Sequence, residues 1–299
     1  LQELTQQLFN GLIWGGVYAL IALGYTMVYG VLRLINFAHG DVYMVGAYLA
    51  FFTIAALGSS ASSIAGVATV FLTAMAGCAV LGLTIERVAY RPVRNAPRLT
   101  ALITAIGVSL FLENGGQLLF GPNPRAFPQI LTARHVLSLA GVSVSSLQIA
   151  IIATVVILLL LLELLVHKTK VGMAMRAVSY NRSVASLMGI NTDHIIAFTF
   201  ALGSALAAVA GILVGLYTGT IEPLMGLLPG LKAFIAAVLG GIGSIPGAML
   251  GGFVLGMAEV LVVAVGYSTY RDAIAFALLV LILLLRPTGL LGTGTVEKV

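Results

Sequence analysis

Residues 11–32 read GLIWGGVYALIALGYTMVYGVL, and residues 42–57 read VYMVGAYLAFFTIAAL. Neither stretch holds a charged side chain, and the first is long enough to cross a bilayer as a helix, which takes about 20 apolar residues. Between them lies RLINFAHGD, 33–41, which gathers Asn36, His39 and Asp41 around Gly40. Helix, polar break, helix is the pattern that decides the fold, and it recurs along the chain. Apolar segments cover 8–32, 35–57, 63–85, 99–120, 147–166, 195–217, 231–243, 247–266 and 271–286.

The composition agrees. The 299 residues are 60% hydrophobic and 8% charged, with mean hydropathy +1.10, whereas soluble domains carry about 25% charged residues. The expected fold class is all-α: a polytopic membrane protein of about eight or nine transmembrane helices, one of them part of a broken, re-entrant hairpin. A single transmembrane domain over 1–299 uses up the length. A membrane β-barrel is excluded, because its strands alternate apolar and polar residues and these runs are continuous. The lone cysteine, Cys78, permits no intrachain disulfide. The start, LQELTQQLFN, has no basic region before an apolar core, so no cleaved signal peptide is expected.

The net charge of +5 is confined to a few loops. In a membrane protein that reports orientation and not nucleic-acid binding. Loop 86–98 holds Arg87, Arg91, Arg94 and Arg98, and loop 167–194 holds Lys168, Lys170, Arg176 and Arg182. Both read as cytoplasmic by the positive-inside rule. Loop 121–146, with Arg125 and Arg134, reads as external. Counting outward places the N-terminus outside and the C-terminus, beyond Arg286, inside. Glu163 falls near the cytoplasmic end of its span, and the run around it, without small residues, faces lipid.

Segment 231–243 is too short to cross alone. Ser244, Ile245 and Pro246 interrupt it before the next apolar run. A proline after glycine-rich sequence breaks a helix, and exposed backbone is tolerated at membrane depth only against protein or a cavity. Residues 231–266 are therefore predicted to form a broken hairpin. Gly243, Gly247 and Gly251 recur every four residues, as do Gly252 and Gly256. That spacing puts small residues on one helix face, where backbones pack closely.

No Gly-x-x-x-x-Gly-Lys-[Ser/Thr] loop occurs, so ATP is not bound by that device here. No His-Glu-x-x-His or cysteine cluster offers a metal site, and no convergent catalytic set is evident. No catalytic, cofactor or metal residues are expected in this chain. Intramembrane polar residues are the candidates for function, because charge at membrane depth is costly and faces protein or water. They are Asp41, Glu113 with Asn114 and Gln117, and Glu259. They serve either as hydrogen-bonding contacts between helices or as part of a translocation path.

The run NFAHGD admits two readings. In one, Asn36 caps the new helix, Asp41 favours its positive end, Gly40 admits a neighbouring backbone and His39 donates to a carbonyl. In the other, the turn is recessed, and a half-helix N-terminus meets an anionic group of a transported molecule. Loop 167–194 carries a helical apolar stripe of Met173, Ala177, Val184, Ala185, Leu187 and Met188, interrupted near Asn181 and ended at Gly189. Such a helix lies on lipid or docks in a groove of a cytoplasmic partner. Small residues and no aromatic anchor favour the groove.

Four blocks carry a family resemblance: GGVYALIALGYTMVYGVLRLINFAHGDVYMVGAYLAF, IERVAYRPVR, GINTDHIIAFTFALGSALAAVAGILVG and KAFIAAVLGGIGSIPGAMLGG. They resemble the H-type membrane permease of bacterial high-affinity branched-chain amino-acid ABC importers, over nearly the whole chain. The resemblance implies a bacterial inner-membrane protein paired with a related second permease. It also implies two cytoplasmic ATPase subunits, which bind the ATP and magnesium, and a periplasmic amino-acid-binding protein. The stretch from Gly172 to Gly189 matches the family's coupling segment, with Arg176, Ala177, Asn181, Ser183 and Ala185 inside it. Related permeases carry urea or short amides, and an ion-coupled secondary transporter is the rival of a different class.

Overall fold

The computed structural model describes residues 2–131, 135–139 and 142–292. Arg134, counted above with the external loop, lies outside them. The chain opens with α1 (Gln2–Leu32), α2 (His39–Leu57) and α3 (Ile64–Ile85), then a π-helical turn, Glu86–Tyr90, leads into the short α4 (Arg91–Val93). Next come α5 (Arg98–Phe120), β1 (Arg125–Ala126), β2 (His135–Leu139), β3 (Val142–Ser145) and α6 (Ser146–Lys168). The second half holds α7 (Lys170–Tyr180), α8 (Arg182–Leu187), α9 (Thr192–Thr218), β4 (Thr220–Ile221), α10 (Leu227–Gly240), α11 (Ile245–Ala264) and α12 (Arg271–Leu285). Among the described residues, eight helices are long and apolar enough to cross a membrane, and α10, at 14 residues, is not. The strands are confined to connections, where β1 pairs antiparallel with β4 and β2 with β3.

Side-chain oxygens start the helices as their sequences dictate. Ser63, Ser145, Asn191 and Ser244 each accept from a backbone N–H of the following first turn, and Ser145 with Gln148 completes a capping box. The centre of the bundle is α1 and α9, whose most apolar stretches are 89% and 72% buried, against 17% for α5 and 6% for α12. The outer helices therefore offer their apolar faces to lipid or to another chain. On α6, Leu147, Ile151, Val155, Leu159 and Leu162 face inward, and Val156, Ile157, Leu160, Leu161 and Leu164 face out. Glu163 pairs with His167 at 3.3 Å near the end of that helix, both half exposed.

The broken hairpin is present as α10 and α11, and it begins at Leu227, four residues before the expected start. The glycines divide their work between two neighbours. Gly247 and Gly251 face α10, where an added Cβ would overlap the carbonyl oxygens of Gly240 and Ala236, whereas Gly252 and Gly256 abut Ala19 and Gly15 of α1. Gly243 is a correction to the packing-face reading: it lies in the turn before α11, at φ +94°, with open space around it. Pro246 sits in the first turn of α11 behind the Ser244 cap, and is exposed. It starts a helix, where its missing N–H costs nothing, and is in the lining of neither cavity described below.

Two helices start inside the bundle. A Cβ on Gly24 would strike the His39 imidazole, so α2 begins level with a point eight residues before the end of α1. At about 1.5 Å per residue that is a recess of about 12 Å. The return loop 33–38 makes the reversal with Arg33 at φ +55°. Helix α10 begins at the same depth, because Gly226 and Gly230 touch Gly40 backbone to backbone.

Candidate functional site

Where the two recessed N-termini meet, a cavity of about 220 Å3 is bounded by α1, α2, α5 and α10. Asp41 and Glu113 supply carboxylates, Tyr25 and Ser109 hydroxyls, and Gly40, Gly226 and Gly230 backbone. Ile106, Leu110 and Leu231 form an apolar side. Asp41 is 3% exposed, and its Oδ2 accepts from the Ser109 hydroxyl at 2.5 Å. Neither Asp41 nor Glu113 has a cationic partner in an ion pair among the described residues. The first turn of α10 has no side-chain cap and no acidic residue, so its N–H groups give that wall positive potential.

The sequence candidates divide around this cavity. Gly40, Asp41 and Glu113 line it. Asn36 does not cap α2, which starts after Ala38 with no side-chain cap; this corrects the expected role. Asn36 Oδ1 instead accepts from the Tyr90 hydroxyl at 3.0 Å, which ties the return loop to the π turn. His39 is hydrogen-bonded to the Ile21 backbone and packs against Gly24, with Nε2 unpartnered. Asn114 donates to Leu110 O of its own helix at 2.7 Å, so it is no interhelical contact within this chain. Gln117 lies further along α5, outside the cavity.

Glu259 is at a different centre. It is wholly buried, and its Oε2 accepts from the Tyr18 hydroxyl at 2.9 Å and from Arg271 Nε at 2.8 Å. Lys232 Nζ stands 2.8 Å from Oε1 and 2.6 Å from Asp272 Oδ1. The Lys232 contact to Oε1 is an ion pair by distance, although its angles do not make a hydrogen bond. Arg271 also lies over the Trp14 ring, 4.7 Å from its centroid. This knot fastens α10 to α1, α11 and α12. Lys232 is not among the sequence candidates, although a lone lysine in an apolar segment, opposite in sign to Glu259, is a readable signal.

The segment after α6 folds as two short helices, α7 and α8, meeting at Asn181 and closed by Gly189 at φ +81°. Gly172 and Ala185 are buried, and Gly172 fits only because its missing Cβ leaves room for the Leu165 and Val166 carbonyls. Arg176 donates to the Val166 carbonyl at the end of α6. Ser179 donates to Gly30 O at 2.6 Å, and Arg182 to Val31 O at 3.1 Å, so the segment clasps the end of α1. Burial, with Arg94 and Arg33 close by, lowers the Arg182 pKa from its ordinary value. The open surface is Met173, Val184, Leu187 and Met188, with the exposed Ser183 between. Ala177 is half covered. Tyr180, 89% exposed, adds an aromatic side chain to this surface, where none was expected.

A family model described as branched-chain amino acid transport system / permease component matches residues 7–283. The chain is 49% identical to the high-affinity branched-chain amino acid transport system permease protein LivH of Salmonella typhimurium, over 98% of this chain and 97% of that one. It is 48% identical to the corresponding permease protein BraD of Pseudomonas aeruginosa, with the same coverage. The ribose import permease protein RbsC of Haemophilus influenzae is 30% identical over 39% of this chain and 38% of its own length. No solved structure matches.

Proposed function

Since this chain belongs to the family of branched-chain amino acid transport system permease components, we propose that it forms half of the membrane path of an ATP-driven importer of leucine, isoleucine and valine. Its partners are a related second permease, two cytoplasmic ATPase subunits and a periplasmic binding protein. The names of the similar permeases favour branched-chain amino acids over urea or short amides. In this reading the end of the bundle with both basic loops is cytoplasmic, as the charge bias requires. The α7–α8 segment receives the ATPase, and its exposed Tyr180, Leu187 and Met188 enter the partner's groove. A polar substitution, Leu187→Asp, is expected to cut ATP-driven uptake at least about tenfold, since one buried apolar anchor contributes about 1.5–3 kcal/mol. Co-purification of the tagged chain with its ATPase measures this directly. Undiminished co-purification and uptake would remove this surface from the docking role.

The observation that carries the path is the central cavity, whose walls complement a zwitterion with an aliphatic side chain. Asp41 and Glu113 face the substrate's ammonium. The uncapped first turn of α10 faces its carboxylate, as helix N-termini do for anions. Ile106, Leu110 and Leu231 face the branched side chain. The first turn of α10 abuts Gly40, next to Asp41, so the substrate's ammonium and carboxylate bind side by side, as their attachment to one carbon requires. Asp41→Asn is expected to lower leucine uptake by about tenfold or more, the worth of a charged hydrogen bond of about 1.5–3 kcal/mol. The assay is radiolabelled leucine uptake in proteoliposomes containing the whole importer, normalised to permease content. Uptake within twofold of the parent would take Asp41 off the path.

A further inference from the structure

A second and larger cavity, about 380 Å3, lies between the end of α3 and the start of α9, at the end of the bundle that carries both basic loops. Its wall has two halves. Val80, Thr84, Arg87 and Arg91 follow one another at spacings of three and four, with Leu83 three after Val80 and four before Arg87, which places them on one side of the helix and its π-turn continuation. The upper residues are apolar and open, Val80 at 62% and Leu83 at 40% exposure. They continue the outward face of α3, where Leu72 is also exposed. Ala197 of α9 closes the other side, and the lower half is Arg87, Arg91 and His194.

The charges there do not cancel. Arg94 binds the buried Glu86 and, at 2.6 Å, Asp193, and Arg91 also pairs with Asp193. Both carboxylates are thus occupied by arginines. Arg87 is exposed and makes no ion pair among the described residues. Three arginine charges against two carboxylates leave one positive charge, at the level where an apolar outward face ends.

We propose that this groove holds an anionic phospholipid, with its headgroup phosphate at Arg87 and Arg91 and one acyl chain along Val80 and Leu83. The upper half opens onto the outward face of α3, where Leu72 is exposed and the threonines bond back to their own helix, and it ends at uncancelled positive charge, which is the amphipathic order of an acyl chain and its phosphate. Anionic lipids are attracted to basic pockets at the cytoplasmic ends of spans. The proposal depends on the groove's chemistry and not on the transported substrate.

The test is native mass spectrometry of the full chain released from micelles, titrated with phosphatidylglycerol, with phosphatidylcholine and with inorganic phosphate. Phosphatidylglycerol is expected to be retained in preference to phosphatidylcholine. Arg87→Gln should reduce its retention about fivefold, the effect of one surface arginine on anionic lipid. Arg286→Gln, an exposed arginine beyond α12, should leave it unchanged. Ala197→Trp, which fills the groove from its apolar side, should also reduce retention. Equal retention of the two lipids, equal effects of the two arginine variants, or binding of inorganic phosphate as tight as that of lipid would each overturn the proposal. So would loss of the lipid from the parent chain on assembly with its ATPase subunits, since the groove would then be a subunit contact.

Discussion

Glu259→Ala is expected to remove most of the folded protein from the membrane. The carboxylate is the only negative group fully inside a knot that also holds Lys232, 6% exposed, and Arg271, 31% exposed. Removing it leaves two cations facing one another, with only Asp272, half exposed, to compensate. Breaking a buried pair from one side costs about 3–5 kcal/mol. The double variant, Glu259→Leu with Lys232→Met, should recover part of that loss, because it removes the buried Lys232 charge together with its partner and leaves only the part-exposed Arg271 without its carboxylate. Thermal unfolding in mild detergent, followed by size exclusion of a fluorescent fusion, gives the ranking. A midpoint for Glu259→Ala equal to the parent's would show that the knot contributes nothing to stability.

The second large effect is expected from Gly251→Leu. The obstacle to a side chain there is the backbone of α10, the Ala236 carbonyl and the Gly240 nitrogen. A rotamer change cannot relieve it. Overpacking costs about 1–3 kcal/mol and occasionally more, and this site belongs at the upper end. The hairpin would have to splay, and with it the first turn of α10 that bounds the central cavity. Both folded yield and leucine uptake should fall together. Gly107→Leu is the control, since nothing lies within 4 Å of a Cβ at that position and it should behave like the parent. Equal behaviour of the two variants would show that α10 and α11 do not depend on close approach.

The spans were legible because length and apolarity act locally. The segment 99–120, for example, becomes α5, Arg98–Phe120, with no help from its neighbours. The break before α11 was legible for the same reason, from Ser244 and Pro246. Depth was not legible. The pattern RLINFAHGD fits a turn at the membrane surface as well as one folded back inside, and only the meeting of Gly24 with His39 and of Gly40 with Gly226 decides between them. Asn36 reads as a helix start because the sequence shows the next helix and not Tyr90, 54 positions away. Glu259 was singled out by its cost in lipid, but its cation stands on another helix. Gly243 shares a spacing of four with true packing glycines but falls two residues short of the helix.

Helix α10 has a consequence for how the chain is made. At 14 residues it spans about 21 Å, short of the roughly 30 Å of hydrocarbon, and it carries Lys232, whose charge costs about 2.5–3.5 kcal/mol at the centre of a span. As it emerges from the ribosome it has neither the length nor the neutrality to settle in lipid. Its countercharge, Glu259, is synthesised only at the end of α11, and Arg271 and Asp272 follow later still. The segment must therefore wait at the insertion machinery, or enter provisionally against α1, until α11 arrives, so the last three helices enter the bilayer as a group and not one by one.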